Sequence, residues 1–224
     1  MSEILEKLNG LPFFSNLEPQ DLDAIASTAI SLKFNAGETV FWEGDACAGI
    51  YIVETGWLKA IKISLHGREQ VIRFLRPGEM FNEVAFFSNK PNLVTVKSLE
   101  SSQVWLLEGA KLDSAIESSV AVCKVMLKIV SDRVQHMLQM IEDLSFRSVE
   151  ARLARAILQY AEENVASRRR WSTQAEMAAH FGTVPDVLNR EIRNLTEKGL
   201  IMVERTHITI LDKAGLKEIA MIDE

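Results

Sequence analysis

Apolar side chains recur at alternating spacings of three and four residues through Val120, Cys123, Leu127, Val130, Val134, Met137, Ile141 and Leu144. Neither Gly nor Pro interrupts this stretch. The pattern is a heptad seam sustained for more than three repeats, so it predicts one unbroken helix with a narrow apolar edge. A helix packed only on its own domain shows a wider and less regular stripe. The seam therefore predicts that two copies of the chain pair along this helix. Ser145 and Ser148 are predicted to end it and to cap the next helix, VEARLARAILQYAEENV (149–165).

The regions flanking the seam have different characters. Residues 1–29 read as helical, with Ile4, Leu5 and Leu8 on one face, a break at Leu11-Pro12, and Pro19 near a second helix start. From about 30 to 107 short apolar or alternating runs appear: KFN, TVFW, GIYIVE, WLKAIKI, EQVIRFL, LVTVKSL and QVWLL. Gly56, Gly67 and Gly78 fall between them, with Gly37, Gly44 and Gly49 upstream, where tight corners demand positive φ. Many short strands with glycine corners predict an antiparallel β-roll or jelly-roll-like sandwich.

The stretch STQAEMAAHFGTVPDVLNREIRNLTEKGLI (172–201) reads as two short helices and a tight turn. Thr173 and Glu176 have capping-box spacing, Gly182 supplies a left-handed stop, and Pro185 suits the first turn of a second helix capped by Thr183 or Val184. In that helix Leu188, Ile192 and Leu195 should pack inward. Asp186, Asn189, Arg190 and Arg193 recur on another side. They offer a carboxylate for cytosine, an amide for adenine, a guanidinium for guanine and a cation for phosphate. Ile201-Met202-Val203 and Ile208-Thr209-Ile210, separated by Glu204-Arg205-Thr206, predict a hairpin wing. Together these features predict a winged helix-turn-helix on double-stranded DNA.

Charge bears directly on that expectation. The formal charge is −6. Residues 1–146 carry 13 Lys and Arg against 19 Asp and Glu, whereas residues 147–224 carry 12 of each. A neutral DNA-reading region predicts modest non-specific affinity, with phosphate contacts resting on few cations. The run Arg168-Arg169-Arg170-Trp171 is one candidate for them, or else a solvated loop. No apolar run approaches the ~20 residues of a membrane span, and the N-terminus lacks a secretory signal. The expectation is a cytoplasmic protein. Cys47 and Cys123 lack CxxC partners and are expected to be packing residues, without a metal site.

A glycine-cornered roll, a long paired helix and a winged helix-turn-helix, in that order, resemble the Crp/Fnr family of bacterial transcription regulators. The resemblance is carried by WEGD (42–45), YIVETGWLKA (51–60), RPGEMFNEVAFF (76–87), EDLSFRSVEARLA (142–154) and the motif from Thr173 onward. It implies an α+β chain with a cyclic-nucleotide-binding-like β-roll over 1–117, a dimerisation helix over 118–145 and a winged helix-turn-helix over 146–224. It also implies a homodimer on a palindromic operator, contact with RNA polymerase, and a small-molecule effector in the roll. Thr173 and Gln174 match positions that touch the DNA backbone in relatives. Arg190 matches a base-reading arginine, Asp186 shortens an acid, and Pro185 replaces a cation.

The effector cassette departs from the cyclic-AMP-binding members. Where they carry Gly-Glu-Leu and then Arg-Ser or Arg-Thr, this chain has Asn82-Glu83-Val84 and then Asn92-Leu93. Glu83 retains the carboxylate that holds a ribose hydroxyl, but Asn92 stands where an arginine meets the cyclic phosphate, a contact about twice as strong as a neutral hydrogen bond. Met137 and Leu138 match the positions that meet adenine and cannot hydrogen-bond it. Cyclic AMP is therefore disfavoured and the effector is open.

A haem-dependent gas sensor would use His66 or His136 as axial ligand, though both are expected to face solvent. A protein-interaction module without specific DNA binding is the other alternative. Catalysis is disfavoured: residues 30–107 contain only His66, and no nucleophile elbow, P-loop or dinucleotide fingerprint occurs.

Overall fold

The computed structural model describes residues 3–167 and 173–221. They fall into two compact units, one of residues 3–68 and 72–136, the other of 69–71, 137–167 and 173–221. The chain opens with α1 (Glu3–Asn9) and α2 (Pro19–Ala26), then β1 (Ala29–Phe34), β2 (Thr39–Phe41), β3 (Gly49–Thr55), β4 (Leu58–Ile63), β5 (Glu69–Leu75) and β6 (Met80–Phe81). A short α3 (Glu83–Phe87), β7 (Thr95–Ser98), β8 (Ser102–Glu108), α4 (Gly109–Ser118) and the long α5 (Val120–Phe146) follow. The strands form two four-stranded sheets, ordered β1-β8-β3-β6 and β2-β7-β4-β5.

Strand β3 explains why the roll holds together. Successive side chains leave opposite faces of a strand. Ile50 and Ile52 enter one apolar cluster with Leu8, Phe14, Ile25 and Leu107, while Tyr51 and Val53 enter another with Phe41, Leu58, Phe81 and Val104. Both faces of β3 are thus buried, as its continuous apolar run requires. The second cluster is dominated by Phe41, Tyr51 and Phe81, whose ring centroids lie 5.1 to 6.1 Å apart. Burial pushes the Tyr51 phenol up to about 12, so it stays neutral.

Helix α5 carries two stripes. Val122, Met126 and Ile129 are buried in the first cluster. The heptad seam lies one residue further along at each turn, and the described chain leaves it open. Leu127 is 65% exposed and Ile141 60%, and only Val130 is partly covered. The sequence placed the end of this helix at Ser145. It runs to Phe146, and Ser148 then caps α6 (Val149–Tyr160), its hydroxyl accepting from the Ala151 amide at 3.1 Å.

The second unit continues with β9 (Ala161–Glu162), β10 (Val165–Ser167), α7 (Gln174–His180), α8 (Pro185–Glu197), β11 (Ile201–Val203), β12 (His207–Ile210) and α9 (Lys213–Ile219). Its core gathers Leu153, Ile157, Ala178, Leu188, Leu195, Ile201, Ile208 and Leu216. The expected wing of two strands belongs to a four-stranded sheet, β11-β12-β10-β9, because β10 pairs with β12. Among the described residues no helix is long and apolar enough to cross a membrane.

Two glycine corners separate backbone strain from steric crowding. Gly56 and Gly67 have nearly equal φ, +80° and +76°. A Cβ at Gly56 would lie 2.7 Å from the Ser101 carbonyl oxygen, whereas Gly67 has nothing within 4 Å. Gly67→Ala should cost about 1–2 kcal/mol, the left-handed penalty alone. Gly56→Ala should cost at least about 2 kcal/mol more, since backbone must move. Urea unfolding of the two variants checks the difference.

Candidate nucleic-acid interface and effector cassette

The two-helix motif is built as local chemistry dictates. The Thr173 hydroxyl accepts from the Glu176 amide at 3.2 Å and opens α7. Gly182, at φ +65°, makes the turn. Pro185 starts α8 behind Val184, which makes no side-chain cap bond. Leu188 and Leu195 are fully buried and Ile192 half-buried, so α8 has a defined inner side. Asp186, Arg190 and Arg193 are exposed and Asn189 is half-buried; on α7, Thr173 and Gln174 are exposed. The Arg168–Trp171 run lies outside the described residues.

Two contacts organise this polar face. Asn189 Nδ2 donates to Gln174 Oε1 at 3.0 Å, linking a residue of α8 to the first residue of α7. Arg190 Nε and Nη2 both donate to Glu191 Oε1, at 3.0 and 2.9 Å, while Asn194 Nδ2 donates to Glu191 Oε2 at 2.8 Å. Glu191 is buried in the helix's flank. Sequence reasoning passed over it because an acid next to an arginine in a charged helix carries no periodic signal. A guanidinium has five N–H donors. Two are spent on Glu191, and three remain for whatever α8 meets.

In the roll, Asn82 takes φ +72° immediately before α3. Its Nδ2 donates to Gly49 O and to Asn92 Oδ1, both at 3.0 Å, and lies 3.3 Å from Cys47 Sγ. Asn92 is buried: its Nδ2 donates to Trp42 O at 3.4 Å and its amide to Asp45 O at 2.9 Å. The position where relatives of the cyclic-AMP type place a cation is thus held by a neutral amide whose polar atoms are already engaged. Burial also pushes the Cys47 thiol up, which keeps it protonated and unreactive. Cys123, expected to be a packing residue, is exposed on the seam of α5.

Glu83 is 2% exposed, and Arg133 of α5 pairs with its Oε1. Arg133 Nη2 also donates to Met80 O at 2.9 Å, and Arg73 Nη2 donates to the same carbonyl at 2.7 Å. Glu83 Oε2 has no hydrogen-bond partner. Burial, with the charge of Arg133 close by, pulls the Arg73 guanidinium down to about 10, so it remains cationic at neutral pH. Val84 and Leu93 lie at the surface, and so do Met137 and Leu138 on α5. Asn82, Glu83 and Asn92 are therefore brought together. Arg133 and Arg73 were missed, although Arg133 extends the buried stripe Val122, Met126, Ile129 by one more turn.

His66 is exposed at its hairpin tip, as expected. His136 departs from expectation: it is half-buried, bonded to the Ile72 backbone, and its Nε2 has no partner. Burial and then the positive charge of Arg73 lower its pKa, so the ring is neutral. Its neighbours Arg73, Arg133 and Glu79 are ions, whereas a porphyrin face needs apolar walls. Haem ligation does not fit this site.

Residues 31–119 match the family model of a cyclic nucleotide-binding domain, and residues 151–219 that of a Crp-like helix-turn-helix domain. Among curated relatives, a CRP-like cAMP-activated global transcriptional regulator of Mycobacterium tuberculosis is 26% identical, with 96% of this chain and 98% of that one aligned. Among solved structures, FixK2 from Bradyrhizobium japonicum superposes with a TM-score of 0.78 at 17% identity, over 88% of this chain and 99% of that one. A putative regulator of the crp/fnr family from Eubacterium rectale gives a TM-score of 0.74 at 21% identity, over 95% of this chain and 99% of that one.

Because Glu83 is almost wholly enclosed, removing its cation strands a charge in low dielectric. Arg133→Met should destabilise the protein by about 3 kcal/mol. Adding Glu83→Gln to it should restore much of that loss, since the charge left behind disappears. Denaturant midpoints of the single and double variants, at constant m, measure the coupling.

Proposed function

The chain belongs to the Crp/Fnr family of transcription regulators and is not an enzyme, and from that premise we propose that it works as a cytoplasmic homodimer reading a palindromic operator through α8. The observation that carries this reading is the division of α8 into two sides. Leu188 and Leu195 are sealed in the core, while Asp186, Arg190 and Arg193 stand out at helical spacing with Asn189 between them. A helix with a rigid back and a face of donors and acceptors suits the major groove. In this reading Thr173 and Gln174, exposed at the start of α7, meet phosphate.

Pairing along α5 supplies the symmetry that a palindrome needs. The seam Val120, Cys123, Leu127, Val130, Val134, Met137, Ile141 and Leu144 is regular and largely open, and the same helix already uses a different stripe for its own core. A second copy covers such a seam by knobs-into-holes packing. Two copies would set their α8 helices on half-sites about one helical turn apart, 34–36 Å. Contact with RNA polymerase belongs to the same reading.

The cassette supports gating by an effector other than cyclic AMP. A cyclic phosphate needs a cation, and Asn92 brings none. What the cassette offers is Glu83 Oε2, an acceptor without a partner. The effector of this reading is a neutral molecule that donates a hydrogen bond there.

Arg190→Ala should weaken binding to the selected operator by roughly 1–3 kcal/mol and relax base preference at one position of each half-site. Fluorescence anisotropy on operator and scrambled duplexes tests this; equal affinity and selectivity would remove α8 as the reader. Leu127→Glu and Val134→Glu should each convert the dimer to a monomer in sedimentation velocity. An intact dimer in both variants would place the interface elsewhere.

A further inference from the structure

We infer that Gln174 is a positioning residue that fixes the side-chain amide of Asn189 in the orientation that reads adenine. The inference rests on the DNA-reading role proposed for α8. A free Asn amide rotates about a broad, roughly two-fold torsion, so by itself it can present donor and acceptor in either order. Asn189 is not free, because Nδ2 donates to Gln174 Oε1 at 3.0 Å.

The order of donors and acceptors follows from the ligand's chemistry. A phosphate oxygen only accepts hydrogen bonds. Gln174, exposed at the first position of α7 behind the Thr173 cap, must turn its Nε2 toward a phosphate, which leaves Oε1 facing Asn189. Asn189 must then give one Nδ2 hydrogen to Gln174. Its second Nδ2 hydrogen and its Oδ1 remain. That donor–acceptor pair matches the N7 acceptor and the N6 donor of adenine. Guanine presents two acceptors, N7 and O6, so Oδ1 would face O6 unpaired. Polarity therefore runs in one direction, from phosphate through Gln174 and Asn189 to the base. Backbone contact and base choice become one linked event, and rotating either amide breaks it.

The test is selection of the full-length protein on a library of randomised duplexes, read as base frequencies in the bound pool. Wild type should select adenine at one position of each half-site, and Asn189→Ala should lose that preference. Gln174→Ala, with Asn189 intact, should lower the preference at the same position by about tenfold. Gln174→Glu still accepts from Asn189 but repels phosphate, so it should keep adenine while binding every sequence more weakly. Melting temperatures control for folding; Gln174 is exposed and Asn189 half-buried, and the substitutions should leave these temperatures nearly unchanged.

The inference is overturned if Gln174→Ala weakens all sequences alike and keeps adenine, which makes Gln174 a phosphate contact only. Loss of the preference in Gln174→Glu overturns it as well. A wild-type motif indifferent to Asn189→Ala overturns it and leaves the reading of α8 standing, whereas absence of any motif removes both.

Discussion

Glu83 is a carboxylate with almost no access to water, and burying such a group is costly unless it is paired and hydrogen-bonded. Arg133 pairs with it from α5 and also holds Met80 O, which Arg73 holds from β5. Strands β5 and β6, the short α3 and the long α5 thus converge on one carbonyl and one carboxylate. On the same helix, Val122, Met126 and Ile129 are buried in the core of the roll. The heptad positions follow the roll-facing ones by one residue, about 100° around the helix. Docking one stripe therefore leaves the other open.

The same junction limits what the cassette can bind. One oxygen of Glu83 is committed to Arg133, and the Asn82 and Asn92 amides are committed to Gly49, Trp42 and each other. An anionic ligand would have to break these bonds and would meet no compensating cation at Asn92. Arg73 is cationic and close, but it is fixed to Met80 O and lies 3.8 Å from Glu79. Rearranging it would give up the bond to Met80 O, while Glu79 would keep Arg76 at 3.1 Å. These commitments disfavour an anion at the Asn92 position.

What could be read in the sequence was whatever repeats or acts locally. The α5 seam is a period, the strands of the roll are alternations ended by glycine, and the caps at Ser148 and Thr173 involve residues three apart. The elements not anticipated lack such signals. Strand β6 is two residues long and exists through pairing with β3. Helix α3 depends on Asn82 adopting a left-handed backbone, and α4 starts at a glycine without a side-chain cap bond. The polar partners Arg133, Arg73 and Glu191 are defined by where distant chain segments meet. His136 looked solvent-facing because it lies off the seam. It sits instead on the roll-facing stripe, seven residues after Ile129, and is half-buried there.

Residues 147–224 carry as many acids as bases, so a regulator built on them cannot rely on net charge for its hold on DNA. Discrimination must come from hydrogen bonds whose geometry is set in advance, because a side chain ordered only on contact gives up ~0.5–1.5 kcal/mol of rotamer entropy. The polar face of α8 shows such order. Glu191 fixes the Nε edge of Arg190 and is itself tied to Asn194; Gln174 fixes Asn189 from the neighbouring helix. Glu191 also offsets part of the charge that Arg190 would bring to phosphate. That loss falls on every sequence alike, whereas a held guanidinium edge favours only a duplex presenting two acceptors in register. On the reading proposed for α8, the acid beside the arginine would therefore lower affinity for arbitrary DNA more than for the chosen site, raising selectivity through a group that need not touch a base.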